Sequence, residues 1–363
     1  MTRVATASAP EHRPWPWPFS FADLMAGLRR HLADPSVHVL DARPLTLPHR
    51  RPSVGRIRGV VVEYQGEAGP GSIRLVVKEP RGTTRTGLAG AGRREVGVYR
   101  SLASQLPLRT PRLVAASNAG DWLLLEEVTS LRDASRWTPN DYLSAVATLA
   151  RLHDRFWGLG EDLDAYPWLA RPLEADFDVH LAAADQATAS LEQAAGAGSE
   201  EQTAHRLKIL QHLTSQAARV AEPLRREPST LLHGDYWPGN LAILDDKGPV
   251  VYDWQEAGVG PAVIDLLVFL TKSEWWFARE SSDRDRLVRA YRDGLASGIA
   301  VRWSDEAWDE IWDHALMWKF LQEWLDLLAA SPPTLLQVQG PQLDQIWLRP
   351  VAEAIDRRLG KLA

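Results

Sequence analysis

Between Leu231 and Gly258 the chain reads LLHGDYWPGNLAILDDKGPVVYDWQEAG, and this run constrains the fold more than any other. The apolar pair Leu231-Leu232 delivers His233, Gly234 and Asp235 into a loop that Pro238 and Gly239 keep out of helix and strand. Asn240 then heads a short strand, LAIL. A four-residue turn from Asp245 to Gly248 leads into a return strand ending at Asp253. With Leu244 facing Pro249 across that turn, Asn240 is expected to lie opposite Asp253. Directly opposed side chains share one sheet face, with β-carbons about 5 Å apart.

An amide oxygen and a carboxylate set together suit a hard divalent cation that keeps coordination sites for waters and phosphate oxygens. Asp235, five residues before Asn240, can stand near such an ion without ligating it, free to accept a proton from a hydroxyl. Any one of these residues reads more simply as turn chemistry, since Asp and Asn are common in turns. Their spacing and the hairpin symmetry together match the layout of phosphoryl transfer: an Asp, an Asn five residues on, and a second, metal-binding Asp after a strand pair.

Composition narrows the chemistry further. The 363 residues include no cysteine, which excludes disulfides, zinc–cysteine and iron–sulfur centres and a thiol nucleophile. A chain of this length exceeds one usual core, so two lobes are expected. The net charge of −6 comes from 41 basic and 47 acidic residues spread through the chain, so no basic footprint marks a nucleic-acid or membrane partner. No apolar run reaches the roughly 18 residues of a membrane helix, and a cytoplasmic location with a small-molecule or protein partner is expected. Oligomeric state is left open. Only six of the basic residues are lysine, which singles each of them out.

Upstream, Phe19 to Leu32 has helical spacing, and GVVVEY and SIRLVVKEP read as two strands joined by GEAGPG. In GLAGAGRREVGVYRSLASQL, Glu95, Val98, Tyr99, Leu102 and Leu106 share a helix face, which turns an acid toward the sheet. DWLLLEEV, from Asp121 to Val128, resembles a buried strand running out into a connector. Thr138, Pro139 and Asp141 form the start of a helix running to Trp157. The alanine-rich stretch from Leu181 to Gly198 suggests a mobile helical insertion, and the C-terminal third carries long helical patterns, including Asp305 to Leu328. The expected fold is α+β and bilobal: an N-terminal antiparallel-sheet lobe over residues 1–127 and a larger, mostly helical lobe over residues 128–363.

The catalytic-type segment, with LVVKEP and REVGVYRSL ahead of it, resembles the aminoglycoside phosphotransferase and choline kinase-like family, which has a protein kinase-like fold. The resemblance covers roughly residues 55 to 275. It implies a small-molecule kinase that uses ATP and Mg2+, with Asp235 as the catalytic group and Asn240 and Asp253 as metal ligands. It further implies that Lys78, held by Glu95, contacts nucleotide phosphates, and that backbone groups of Glu126 and Val128 bond adenine. Alone, Lys78 would read as a solvated edge residue. Asp265, inside GPAVIDLLVFL, cannot be buried unpaired cheaply and is expected to hold the catalytic-loop backbone. His233 is expected to do similar structural work, with metal ligation as the alternative. The chain departs from the family at the phosphate-covering loop, where LPHRRPSVGRIRG is not glycine-rich; Ser53 and the amides of Val54 and Gly55 are the candidates to cover phosphates.

The implied reaction moves the ATP γ-phosphoryl group to a hydroxyl of a small molecule such as an amino sugar, an aminoglycoside or a similar polyhydroxylated metabolite. A catalytically weak ATP-binding regulator and a metal-dependent phosphohydrolase are the alternatives. In the helical third, Glu274, Asp309, Asp313, Glu323 and Asp326 interleave with Trp275, Trp276, Trp308, Trp312 and Trp324. That pattern fits a cationic acceptor stacked on indole, or helix packing with solvated acidic faces, and packing is the expectation for most of them.

Overall fold

Ser20 sets the start of the first helix, because its hydroxyl accepts from the Asp23 N–H while the Asp23 carboxylate accepts from the Ser20 N–H. Helix α1 therefore covers Phe21–Leu32, and Phe19 lies before it. The structure is a computed structural model that describes residues 15–47, 55–80, 89–195, 201–245, 248–277, 284–331 and 333–360. Strands β1 (His38–Leu45), β2 (Arg56–Gly66) and β3 (Gly69–Glu79) follow. The β2–β3 ladder runs out to Gly66 opposite Gly69, so the turn is tighter than GEAGPG suggests. Helix α2 (Ala91–Gly97) continues as a wide π turn, Val98–Leu102. Strands β4 (Leu113–Ala116) and β5 (Leu123–Glu126) complete an antiparallel sheet of order β1-β2-β3-β5-β4.

The two-residue side-chain period of β3 gives this sheet its two faces. Leu75 and Val77 join Leu24, Leu28, Val60, Val62 and Leu124 in the core of the N-terminal lobe. Val76 and Lys78 point the other way, into the cleft beneath the sheet. The leader contributes to the same core, with Trp17 and Phe19 buried and Phe19 against Trp122 at 5.6 Å.

The second lobe begins with α3 (Pro139–Arg155), capped by Thr138 and Asp141 in the same reciprocal way. It ends two residues before Trp157. Thr138→Ala should lower stability by about 1 kcal/mol, the usual worth of an N-cap, which chemical denaturation would detect. Helices α4 (Phe177–Ala195), α5 (Glu201–Ser215) and α6 (Ala217–Arg226) lead to β6 (Ser229–Leu232), β7 (Leu241–Ala242), β8 (Val250–Val251) and β9 (Gly258–Pro261). Then come α7 (Val263–Phe277), α8 (Arg284–Gly298), α9 (Asp305–Lys319), α10 (Leu325–Ala330), α11 (Pro333–Leu343) and α12 (Arg349–Arg358). The arrangement is a bilobal α+β fold. Among the described residues no helix is long and apolar enough to cross a membrane.

One expectation is corrected here. The stretch from Leu181 is a core element as far as α4 extends, because Ala184, Ala187 and Thr188 are buried and the helix packs along α10; residues 196–198 lie outside the described residues. The long helical pattern from Asp305 to Leu328 is helical throughout, with a π turn, Phe320–Trp324, between α9 and α10. Such turns displace side chains from the regular helical stripe and recur at functional sites. This one carries Glu323 into the cleft.

Candidate active site

A cleft of about 850 Å³ lies between the lobes. Lys78, Glu95, Glu126, Val128, Asp235, Asn240 and Asp253 all line it. On the sheet side, Lys78 is buried and bridges two acids. Its Nζ lies 2.7 Å from Glu95 Oε2 and also pairs with Asp253 Oδ1. Burial opposes the lysine charge, yet Asp253 and Glu95 outweigh it and hold the Lys78 pKa above its ordinary value. Burial pushes the Glu95 carboxyl up, and the Lys78 charge pulls it back. Helix α2 is fixed against this corner by Arg94, whose Nη1 donates to the Gln255 carbonyl at 2.6 Å.

The catalytic-type loop hangs between β6 and β7. Gly234 has φ +81, and a β-carbon there would stand 2.1 Å from the Glu256 carbonyl oxygen, so no other residue fits. Asp265, fully buried at the start of α7, accepts from the His233 N–H at 2.7 Å and the Gly234 N–H at 2.9 Å. His153 of α3 lies 3.2 Å away on the same carboxylate. Burial alone would raise the Asp265 pKa, but His153 and the loop amides bring it below the ordinary value. His233 donates from Nε2 to the Tyr252 carbonyl at 3.1 Å and accepts the Asp235 N–H at Nδ1 at 3.3 Å. Both ring nitrogens are thus engaged, burial favours the neutral ring, and no lone pair is left for a metal.

The hairpin register differs from the sequence expectation by one residue. Leu241 pairs with Val251 and Ala242 with Val250, so Asn240 stands opposite Tyr252, whose N–H donates to the Asn240 carbonyl at 3.1 Å. The ladder stops at Ala242 because the Ile243 backbone is taken by another segment. Its N–H donates to Ser130 Oγ at 3.0 Å, and its carbonyl accepts from the Leu131 N–H at 2.7 Å. Asp253 reaches the cleft by a different device, a left-handed backbone at φ 69 and ψ 60. The Asn240 amide donates from Nδ2 to Asp235 Oδ2 at 2.8 Å, which turns its Oδ1 away from Asp235. An amide oxygen and a carboxylate remain as hard donors, matching a cation that draws its other ligands from phosphate and water. Among the described residues no group of three or more His, Asp or Glu side chains forms a cage for a metal ion.

Sequence reading missed the residues that surround Asp235. Lys272 Nζ is 2.5 Å from Asp235 Oδ1 and 2.9 Å from Glu323 Oε1, while Lys319 Nζ is 3.0 Å from Glu323 Oε2 and 3.8 Å from Glu256 Oε2. Burial raises the pKa of Asp235, with Lys272 opposing it, and the charge on Lys272 survives burial because three acids face it. The scarcity of lysine was the available signal. Lys78, Lys272 and Lys319 are three of the chain's six, and all three stand in this region, Lys78 and Lys319 buried and Lys272 half-buried.

The remaining sequence candidates are distributed as follows. At the connector, the Glu126 N–H donates to the Arg112 carbonyl at 3.0 Å. Gly55 precedes β2, with Ser53 and Val54 outside the described residues. Of the flagged tryptophans, Trp308 and Trp324 are core and Trp275 and Trp312 pack against it, whereas Trp276 lines the cleft beside Trp237. Asp313 is committed to Arg357 and Arg358, each at 2.8 Å.

Comparison with solved structures finds similar chains at low identity. The amicoumacin kinase hAmiN, solved with AMP-PNP, Ca2+ and Ami, is 15% identical over 85% of this chain and 90% of its own, with a TM-score of 0.50. An aminoglycoside phosphotransferase from Alicyclobacillus acidocaldarius is 15% identical over 86% and 94%, with a TM-score of 0.48. The streptomycin–ATP ternary complex of APH(2'')-IIa is 15% identical over 81% and 88%, with a TM-score of 0.45. A search of the curated proteins found no match. The profile of the phosphotransferase enzyme family matches residues 61–300, a span that holds the sheet lysine, the α2 acid, the catalytic-type loop and Asp265. The chain belongs to the phosphotransferase enzyme family.

Proposed function

We propose that the cleft transfers the γ-phosphoryl group of ATP to a hydroxyl of a small molecule, with the lobe division at residues 127/128 and the nucleotide under the sheet. The observation that carries this reading is the convergence of Lys78, Asp235, Asn240 and Asp253, from three separate segments, on one cleft. The similar kinase solved with AMP-PNP supports ATP as the donor.

In this reading Lys78, aimed by Glu95, leaves Asp253 for the α- and β-phosphates when nucleotide enters. Backbone groups of Glu126 and Val128 hold adenine. Asn240 and Asp253 would hold Mg2+, which supplies charge neutralisation on the phosphate oxygens when bound. Asp235 orients the acceptor hydroxyl and takes its proton as the new O–P bond forms and the bond to the ADP oxygen breaks. A carboxylate has about four lone-pair sites, so the contacts to Asn240 and Lys272 leave room for that hydroxyl. His233 and Asp265 act on the loop backbone, not on the substrate. Positioning and electrostatics carry most of the rate, because the transition state is loose and little covalent chemistry falls to the protein.

The test is ADP release across sugars, amino sugars, aminoglycosides, macrolides and amino alcohols, with Asp235→Ala as control. An acceptor that stimulates the wild type and not the variant supports the reading. Equal rates in both proteins with every acceptor would overturn it. Lys78→Met should raise the KM for ATP at least tenfold, by loss of a charge-assisted contact worth about 1.5–3 kcal/mol, with acceptor KM nearly unchanged.

A further inference from the structure

The acceptor end of the cleft has two features that together select a ligand class. Most of its acidic charge is offset from within. Asp235, Glu256 and Glu323 line it, and Lys272 and Lys319 span them in a continuous chain of ion pairs, each lysine contacting two acids. Glu256 is drawn further toward its neutral form by burial and by the neighbouring Glu323. Of the five acids in the helical third that could have met a cation, only Glu323 lines the cleft. The Asp133 carboxylate, also on the lining, caps its own turn through the Ser135 N–H at 2.9 Å and hydroxyl at 2.6 Å.

The second feature is an aromatic wall. Trp276 lies one helical turn beyond Lys272 on α7, so the same helix face presents the lysine to Asp235 and the indole to the cleft. Trp237, two residues after Asp235, packs against Trp276 at 6.0 Å and 32° and against Phe277 at 6.0 Å and 25°. Its ring lies over Gly239, where a β-carbon would come within 2.3 Å, so the loop is shaped to hold it. Trp276 remains 43% exposed. An exposed indole beside a cleft, backed by two further rings, offers apolar surface that a ligand can cover.

We propose that the acceptor is an uncharged, hydroxylated molecule with a flat apolar or aromatic face, which stacks on Trp276 and Trp237 while its hydroxyl meets Asp235, and not a polycation. This rests on the phosphotransfer reading above and deepens it. The probes are an aryl β-glucoside, methyl β-glucoside and kanamycin, each measured by calorimetric binding and by ADP release in the presence of ATP and Mg2+.

The wild type should bind the aryl glucoside about tenfold more tightly than the methyl glucoside, a ratio of the size that stacking plus apolar burial provides. Trp276→Ala should reduce that ratio to near one and Trp276→Phe should largely preserve it, with unchanged melting midpoints showing that both variants fold. Kanamycin should bind no better than methyl glucoside. Tighter binding of kanamycin than of the aryl glucoside, or an aryl preference that persists in Trp276→Ala, would overturn the inference. Preferential aryl binding without acceptor-stimulated ADP release would instead count against the phosphotransfer reading and leave the ligand class standing.

Discussion

Asp235→Asn should lower kcat by roughly 10²–10⁴-fold, the range for loss of a positioned proton acceptor, with the KM for ATP nearly unchanged. The substitution keeps the size of the side chain and its contact with Asn240 but removes the carboxylate that faces the acceptor hydroxyl. Lys272 retains Glu323 at 2.9 Å, so the variant is not left with an isolated buried cation. A melting midpoint that still rises on adding ATP and Mg2+ would show that the nucleotide half of the cleft is intact. A variant with more than a tenth of wild-type kcat would remove Asp235 from the chemistry.

The second large effect concerns stability. Asp265→Ala should cost about 3–5 kcal/mol, the usual penalty for breaking a buried charged network on one side, because it strands the amides of His233 and Gly234 and the ring of His153 in a dry interior. The effect carries a pH signature. The folded pKa of Asp265 lies below its ordinary value of 3.8, so its stabilisation is fully present above that value and is lost as pH falls through the lower folded pKa. The stability gap between wild type and variant should therefore be constant near neutrality and close below about pH 4. Denaturation series at several pH values would show this. A gap that widens on acidification would contradict the assignment.

Much of this was legible in the sequence, for identifiable physical reasons. Lys78 and Glu95 sit on elements with clear periodicity, a strand and a helix stripe, so their facing directions followed from spacing. Asp235 and Asn240 lie within one loop whose proline and glycine punctuation limits its shapes, and Asp265 stood out as a charge in an apolar run. The hairpin register did not follow from local pattern, because Ser130 and Leu131, more than a hundred residues away, capture the Ile243 backbone and shorten the ladder. The Asp235–Lys272–Glu323–Lys319–Glu256 chain was illegible for the same reason. It joins the catalytic-type loop, the segment after β8, α7, α9 and a π turn, and only tertiary packing brings them together. Lysine scarcity singled out its basic members without naming their partners.

The central claim is transfer to an acceptor, so the most direct measurement follows the phosphoryl group itself. Wild-type protein, ATP carrying a labelled γ-phosphate, Mg2+ and the acceptor that best stimulates ADP release would be incubated and the products resolved by mass spectrometry, with Asp253→Asn in parallel. The account predicts label on an acceptor hydroxyl in amounts equal to the ADP formed, and neither product from the variant. Label recovered only as inorganic phosphate, at a rate that no acceptor changes, would contradict it and favour hydrolysis.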